Sequence, residues 1–264
     1  MGAANGRLSN VVLEEERKTQ ALSAGAEFDV RVVAPFVLAA QGRGDARDAE
    51  ATIVWARDRL RADFFDKEPG KPITIWVFRD ETSYMTGSSA IVGLVPPTPY
   101  GFYRPCSRVM VVNGGLGFGT IVHEMVHAYM DADFPSAPTW MNEGLASLFE
   151  APIEIDGHLR GKINWRLPGL QSALREGRGL GLATLAKGSR GDFDGKRGAL
   201  YYASARYLLL WLQDQGHLGA FYRAYRARGG NGLDVLREVT RTDLPTLEQS
   251  WERFVLGLAY EPPS

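Results

Sequence analysis

Two histidines, His123 and His127, stand four residues apart in the segment His-Glu-Met-Val-His. On a helix this spacing places both imidazoles on one face, one turn apart, which suits the binding of a single metal ion. Glu124 lies about 100° around the helix from His123, which is unfavourable for a ligand but within reach of a bound water. Two nitrogen ligands need a third protein ligand and leave a fourth position for that water. The segment therefore predicts an open metal site with a carboxylate base beside it.

Three acidic residues downstream of the histidines are candidates for the third ligand. Asp131 continues the i, i+4 series, but on a straight helix it lies about 12 Å along the axis from His123, too far for one ion to reach both. Glu143 follows a proline-containing break, on a predicted second helix from Trp140 to about Phe149 that can turn a carboxylate inward. Glu150 lies two turns further on and is expected to serve structurally. Glu143 is therefore the predicted ligand.

The composition is that of a soluble globular protein and excludes several classes of function. Of 264 residues, 45% are hydrophobic and 23% charged, with 30 Lys and Arg against 31 Asp and Glu. This balance does not favour nucleic acid or an anionic membrane as a partner. Cys106 is the only cysteine, which excludes an intrachain disulfide. No apolar run is long enough to span a membrane and no signal peptide is recognisable, so the compartment stays open.

Hydrophobic periodicity predicts an α+β fold in three parts. Residues 1–26 read as a polar lead-in, 27–150 as the catalytic part with the histidine helix and the glutamate helix, and 151–264 as a mainly helical part that closes the cleft. The expected elements of the second part are strands at 28–32, 73–78, 100–104 and 108–113, a helix at 45–65 and a long ordered loop at 84–106. They predict a small mixed sheet with a helix on one face.

The two motif segments together resemble the gluzincin metallopeptidases. The match rests on His-Glu-x-x-His at 123–127 and Asn-Glu-Gly-x-Ala-Ser at 142–147, the second similar to Trp-Leu-Asn-Glu-Gly-Phe-Ala-Ser of aminopeptidase-type members. The short chain and the spacing between the two motifs look more like the smaller bacterial peptidase-MA-like proteins. The specific match covers about 118–150, with weaker similarity in the helix from Leu200.

The resemblance implies a zincin-like fold and a zinc metallopeptidase activity. It implies one zinc per chain with His123, His127 and Glu143 as ligands, and Glu124 as the general base.

The same resemblance implies roles for further residues. Family members usually supply a tyrosine or a histidine that stabilises the oxyanion, and the family spacing picks Tyr201, with Tyr202 next. Asn142 and Ser147 flank the glutamate ligand, and Ser147 stands where thermolysin-like members have an aspartate that supports a histidine. A hydroxyl at this position would orient the imidazole more weakly than a carboxylate.

The expected substrate is a peptide or protein, cleaved internally. The Gly-x-Met-Glu-Asn segment by which aminopeptidases hold a free amino end is absent, and the strand at 109–113 is expected to pair with an extended peptide. Three alternatives stay open: an aminopeptidase, a zinc-containing binding module without turnover, and an interaction domain without metal. The sequence does not set the oligomeric state.

Overall fold

The computed structural model describes residues 2–23 and 27–261. The chain forms two compact units that divide after Asp133. The first contains a β-sheet and the helix that carries both histidines, and the second is mainly helical. The predicted α+β class, with its small N-terminal mixed sheet and helical C-terminal part, is confirmed. The predicted boundary between residues 150 and 151 lies between a catalytic part and a closing part, not between compact units. It stays a prediction.

The first unit is a five-stranded mixed sheet with helices, and the strand order is β1-β2-β3-β5-β4. Its elements are α1 (Gly2–Leu22), β1 (Phe28–Val33), β2 (Phe36–Gln41), α2 (Arg43–Asp63), β3 (Ile73–Phe78), α3 (Glu81–Gly87), a π-helical turn (Ser88–Val92), β4 (Gly101–Arg104), β5 (Val109–Asn113), a 3-10 turn (Gly114–Leu116) and α4 (Gly119–Asp133). The central strands β2, β3 and β5 are parallel, and β1 and β4 flank them in antiparallel orientation.

The burial of the central strand β3 explains why its sequence predicts a strand. All six residues of its Ile-Thr-Ile-Trp-Val-Phe run are buried, as expected where both faces of a parallel sheet are covered. Trp76 lies opposite Ala39 on β2 and Val111 on β5. These three residues belong to one core cluster with Phe78 and Tyr84. This rigid layer supports the strand that leads into the histidine helix.

The expectation that the strand at 109–113 offers a free edge to a peptide is wrong. β5 pairs with β3 on one side and with β4 on the other, so both rows of its backbone groups are already used. The edge strand on this side of the sheet is β4, which pairs antiparallel with β5 and is joined to it by a turn that contains the exposed Cys106. No pattern in the sequence indicates which neighbour each short strand pairs with.

Two further segments are more ordered than the sequence suggested. The polar lead-in contains helix α1, which is anchored by the buried side chains of Val12 and Thr19 and by a 2.8 Å hydrogen bond from Thr74 Oγ1 to Glu15 Oε1. Residues 1 and 24–26 of the predicted lead-in lie outside the described residues. The predicted loop at 84–106 begins with the end of α3 and the π-helical turn.

The second unit surrounds one central helix, α9. Its elements are α5 (Thr139–Leu148), β6 (Pro152–Ile155), β7 (His158–Gly161), α6 (Leu167–Arg175), α7 (Leu182–Ala186), α8 (Arg190–Phe193), α9 (Gly198–Asp214), α10 (Leu218–Arg228), α11 (Gly232–Thr240) and α12 (Leu244–Gly257). Gly144 lets α5 approach α9 closely, because an added Cβ would lie 3.1 Å from both Ala205 Cβ and Leu209 Cδ1. Among the described residues, no helix is long and apolar enough to cross a membrane.

Candidate metal centre

The two motif histidines lie side by side on α4. Their Nε2 atoms are 3.2 Å apart and their ring centroids 4.9 Å apart. Both rings are half-buried, whereas the neighbouring Val122 and Val126 are fully buried and fix the helix. Two nitrogens bound to one zinc at 2.0–2.1 Å in tetrahedral geometry are about 3.3 Å apart. The imidazole pair therefore already has the separation that a shared ion requires.

Glu124 follows His123 on α4 and is 6% exposed. Its charge contributes to raising the pKa of Tyr84, although burial of the Tyr84 phenol is the larger cause. The Tyr84 hydroxyl in turn donates a 2.9 Å hydrogen bond to the carbonyl of Thr98, three residues before β4. The structure thus places the predicted base in a water-poor environment, close to the segment that leads into the edge strand.

At Gly101, the edge strand β4 packs directly against the beginning of α4, because glycine has no side chain to separate them. A Cβ added there would lie 2.7 Å from Thr120 Cγ2 and 2.9 Å from the carbonyl oxygen of Val111. Only glycine permits this approach, since the carbonyl oxygen belongs to the sheet and cannot yield. The glycine therefore holds the exposed edge of the sheet against the first turn of the histidine helix.

Glu143 lies on α5 and is 3% exposed. Its carboxylate pairs with the guanidinium of Arg190, which comes from the short helix α8. His123, His127 and Glu143 together offer two imidazoles and one carboxylate that could hold a metal ion. Two imidazoles and one carboxylate are a common donor set for zinc with an open fourth position, so these residue types fit the ion that the sequence predicts.

The two candidate tyrosines at the start of α9 differ in their surroundings. Burial raises the pKa of Tyr202, and the negative charge of Glu143 contributes to the same rise. Both rings pack against Phe193, with ring centroids 5.3 Å away for Tyr201 and 5.1 Å away for Tyr202, and Tyr201 is 7% exposed. Of the pair, the structure brings Tyr202 to the predicted ligand.

Glu150 belongs to a buried charge network, which agrees with its expected structural role. Its carboxylate accepts hydrogen bonds from Arg166 Nε at 2.6 Å and Nη2 at 3.1 Å, and from Asn164 Nδ2 at 2.8 Å. Arg206, which is fully buried, has its Nε atom 3.8 Å from the same carboxylate. The Arg166 guanidinium also lies 5.1 Å from the ring centroid of Tyr202. The network therefore extends to the ring of Tyr202.

We expect Glu150→Ala to lower the free energy of unfolding by about 3–5 kcal/mol, because it leaves the buried Arg206 charge uncompensated. Denaturant unfolding at neutral pH measures the loss. Glu176→Ala is the matched control, since Glu176 pairs with Arg178 at the surface, where a single ion pair contributes about 1 kcal/mol or less. Equal losses in the two variants would contradict the role of the network.

The two predicted flanking residues, Asn142 and Ser147, both lie on α5. Asn142 is half-buried on α5, and its role stays a prediction. Ser147 is fully buried, but its Oγ atom forms no hydrogen bond within the described part of the chain, so the orienting contact with an imidazole is not seen. Sequence reasoning missed Arg190 and Arg166 altogether, because an arginine in a loop-rich segment carries no signal of the carboxylate it will meet.

No family model and no curated protein matches the chain. Among solved structures, yeast LTA4 hydrolase in complex with bestatin is similar with a TM-score of 0.47 and 15% identity over 90% of this chain. Native yeast LTA4 hydrolase is similar with a TM-score of 0.45 and the same identity and coverage. This chain spans 40% of the length of each of those chains.

Proposed function

We propose that this protein is a zinc-dependent peptidase that cleaves within polypeptides. The observation that carries the proposal is the separation of 3.2 Å between the Nε2 atoms of His123 and His127, with Glu124 next to them on the same helix. A structural zinc site is usually closed by four protein ligands and needs no base. A buried carboxylate beside an incomplete ligand set is the pattern of a hydrolytic site.

His123, His127 and Glu143 would hold the zinc. When bound, zinc lowers the pKa of water from about 15.7 to about 7 and polarises a carbonyl as a Lewis acid. Glu143 is the third ligand in this proposal because it is a buried carboxylate on α5, the helix that follows the histidine helix in the sequence.

Glu124 and Tyr202 would carry the remaining chemistry. The Glu124 carboxylate would accept a proton from the water that attacks the peptide carbonyl and pass it to the leaving amine. The Tyr202 hydroxyl, whose pKa is raised in part by the charge of Glu143, would donate to the oxyanion that develops on the carbonyl oxygen. Tyr202 takes this role in preference to Tyr201 because the charge of Glu143 acts on the Tyr202 phenol.

The edge strand β4 supports cleavage within a chain rather than at its amino end. An extended peptide can add to a free sheet edge through its backbone, without a terminal group. The segment from Tyr100 to Gly119, which contains β4 and leads into α4, has no Asp or Glu that would pair with a terminal ammonium group. Both features favour a peptide that passes along the edge in extended form.

The test compares an N-acetylated peptide with its free-amine twin, digested by the zinc-loaded protein and analysed by mass spectrometry. The peptides come from a library screen for internal cleavage. We expect kcat/KM values that agree within about threefold, since a difference of 1.4 kcal/mol in transition-state binding would already give tenfold. A strong preference for the free amine would support an aminopeptidase instead. No cleavage of any library peptide, with zinc bound, would support a binding module without turnover.

A further inference from the structure

The guanidinium of Arg190 is paired with the carboxylate of Glu143, to which the proposed metal would also bind. Its Nη1 atom donates to Glu143 Oε1, and its Nε atom lies 3.0 Å from Asp194 Oδ2. The two partners differ in burial: the Glu143 side chain is 5% exposed, whereas the Arg190 side chain is 63% exposed. The Arg190 side chain thus extends from the surface to the buried carboxylate of Glu143.

A buried carboxylate requires a positive partner, because removing its charge from water without compensation is costly. Arg190 supplies that partner in this structure. A bound zinc ion would supply it equally well, and two cations that share one carboxylate repel each other. Because most of the Arg190 side chain is already in contact with water, it can withdraw and keep its pairing with Asp194.

We propose that Arg190 competes with the metal for the Glu143 carboxylate and thereby lowers the zinc affinity of the site. The inference rests on the proposed function, since it takes Glu143 as the third ligand. Zinc binding must then break the Arg190–Glu143 pair, and the free energy of that pair is subtracted from the binding free energy. The opposite possibility is that Arg190 orients Glu143 for the metal, in which case its loss would weaken binding.

The experiment measures the zinc dissociation constant by competition with a chromophoric chelator. We expect Arg190→Gln to bind zinc about tenfold more tightly than the parent, as the loss of one competing charge-assisted hydrogen bond implies. Arg190→Ala should shift the affinity in the same direction. The gain in Tm on zinc addition should also be larger in both variants, because their metal-free forms lack the counter-ion of Glu143.

Arg178→Gln is the matched control. Arg178 has the same side-chain exposure of 63%, but its partner is the surface residue Glu176, so its loss should leave the zinc affinity unchanged. An unchanged or weaker zinc affinity in both Arg190 variants, with a parent that binds zinc, would overturn the inference alone. A parent that binds no zinc would instead overturn the proposed function.

Discussion

Glu124→Gln is expected to bind zinc with the affinity of the parent, to unfold at the same temperature, and to lose peptide hydrolysis. The amide fills the volume of the carboxylate but cannot accept a proton. General-base catalysis contributes about 10²–10⁴-fold, so we expect kcat to fall by about 10³-fold. Zinc content by elemental analysis, thermal unfolding and steady-state kinetics on one internal-cleavage peptide measure the three properties.

The control for this variant is Asp131→Asn, which makes the same carboxylate-to-amide change on the same helix. Asp131 is not part of the group that can hold a metal, so this variant should keep both zinc and most of its activity. The assignment of Glu124 fails if its glutamine variant cleaves as fast as the parent. It also fails if zinc is lost together with activity, because Glu124 would then act on the metal site rather than as a base.

The second large effect concerns the metal itself. The parent should contain about one zinc per chain, removable by chelators, and His123→Ala, His127→Ala and Glu143→Ala should each weaken zinc binding by more than about 100-fold. Each change removes one of three protein ligands, and even the loss of an outer partner of a ligand costs about 10–100-fold.

His158→Ala is the control for nonspecific zinc binding by histidine. His158 is exposed on β7, outside the group of possible ligands, so the variant should retain full zinc. Full zinc in all three ligand variants would refute the site. Loss of zinc from His123→Ala and His127→Ala but not from Glu143→Ala would leave the imidazole pair intact as a site and remove Glu143 from it.

The sequence predicted those elements whose pattern is decided locally. β3 was predicted with its observed bounds because a run of β-branched and aromatic residues has few alternatives to a buried strand. The bounds of α4 and α5 were predicted to within about two residues, because the prolines between them end one helix and begin the next.

The elements that were missed depend on distant partners. β2 was not predicted, since Phe-Val-Leu-Ala-Ala-Gln neither alternates nor contains many strand-forming residues. It is a strand because β1 and β3 pair with both of its edges. α1 read as a polar tail, because only a few of its side chains are buried against the rest of the first unit.

The candidate site shows the same division between local and distant information. The spacing of His123 and His127 is a property of one helix and could be derived before the fold was known. The choice between Tyr201 and Tyr202 could not, because adjacent residues on a helix point about 100° apart and only the position of α5 decides which one reaches Glu143. The pairing of Arg190 with Glu143 joins residues 47 positions apart, and no pattern in the sequence connects them.

The turn between β4 and β5 has a practical use that follows from its composition. Cys106 is the only thiol in the sequence and is exposed at this turn. A maleimide fluorophore would therefore attach at one site of the unaltered protein, at the end of the edge strand. Its emission would report the arrival of a peptide on β4 in real time, with the slow Glu124→Gln variant used to separate docking from turnover.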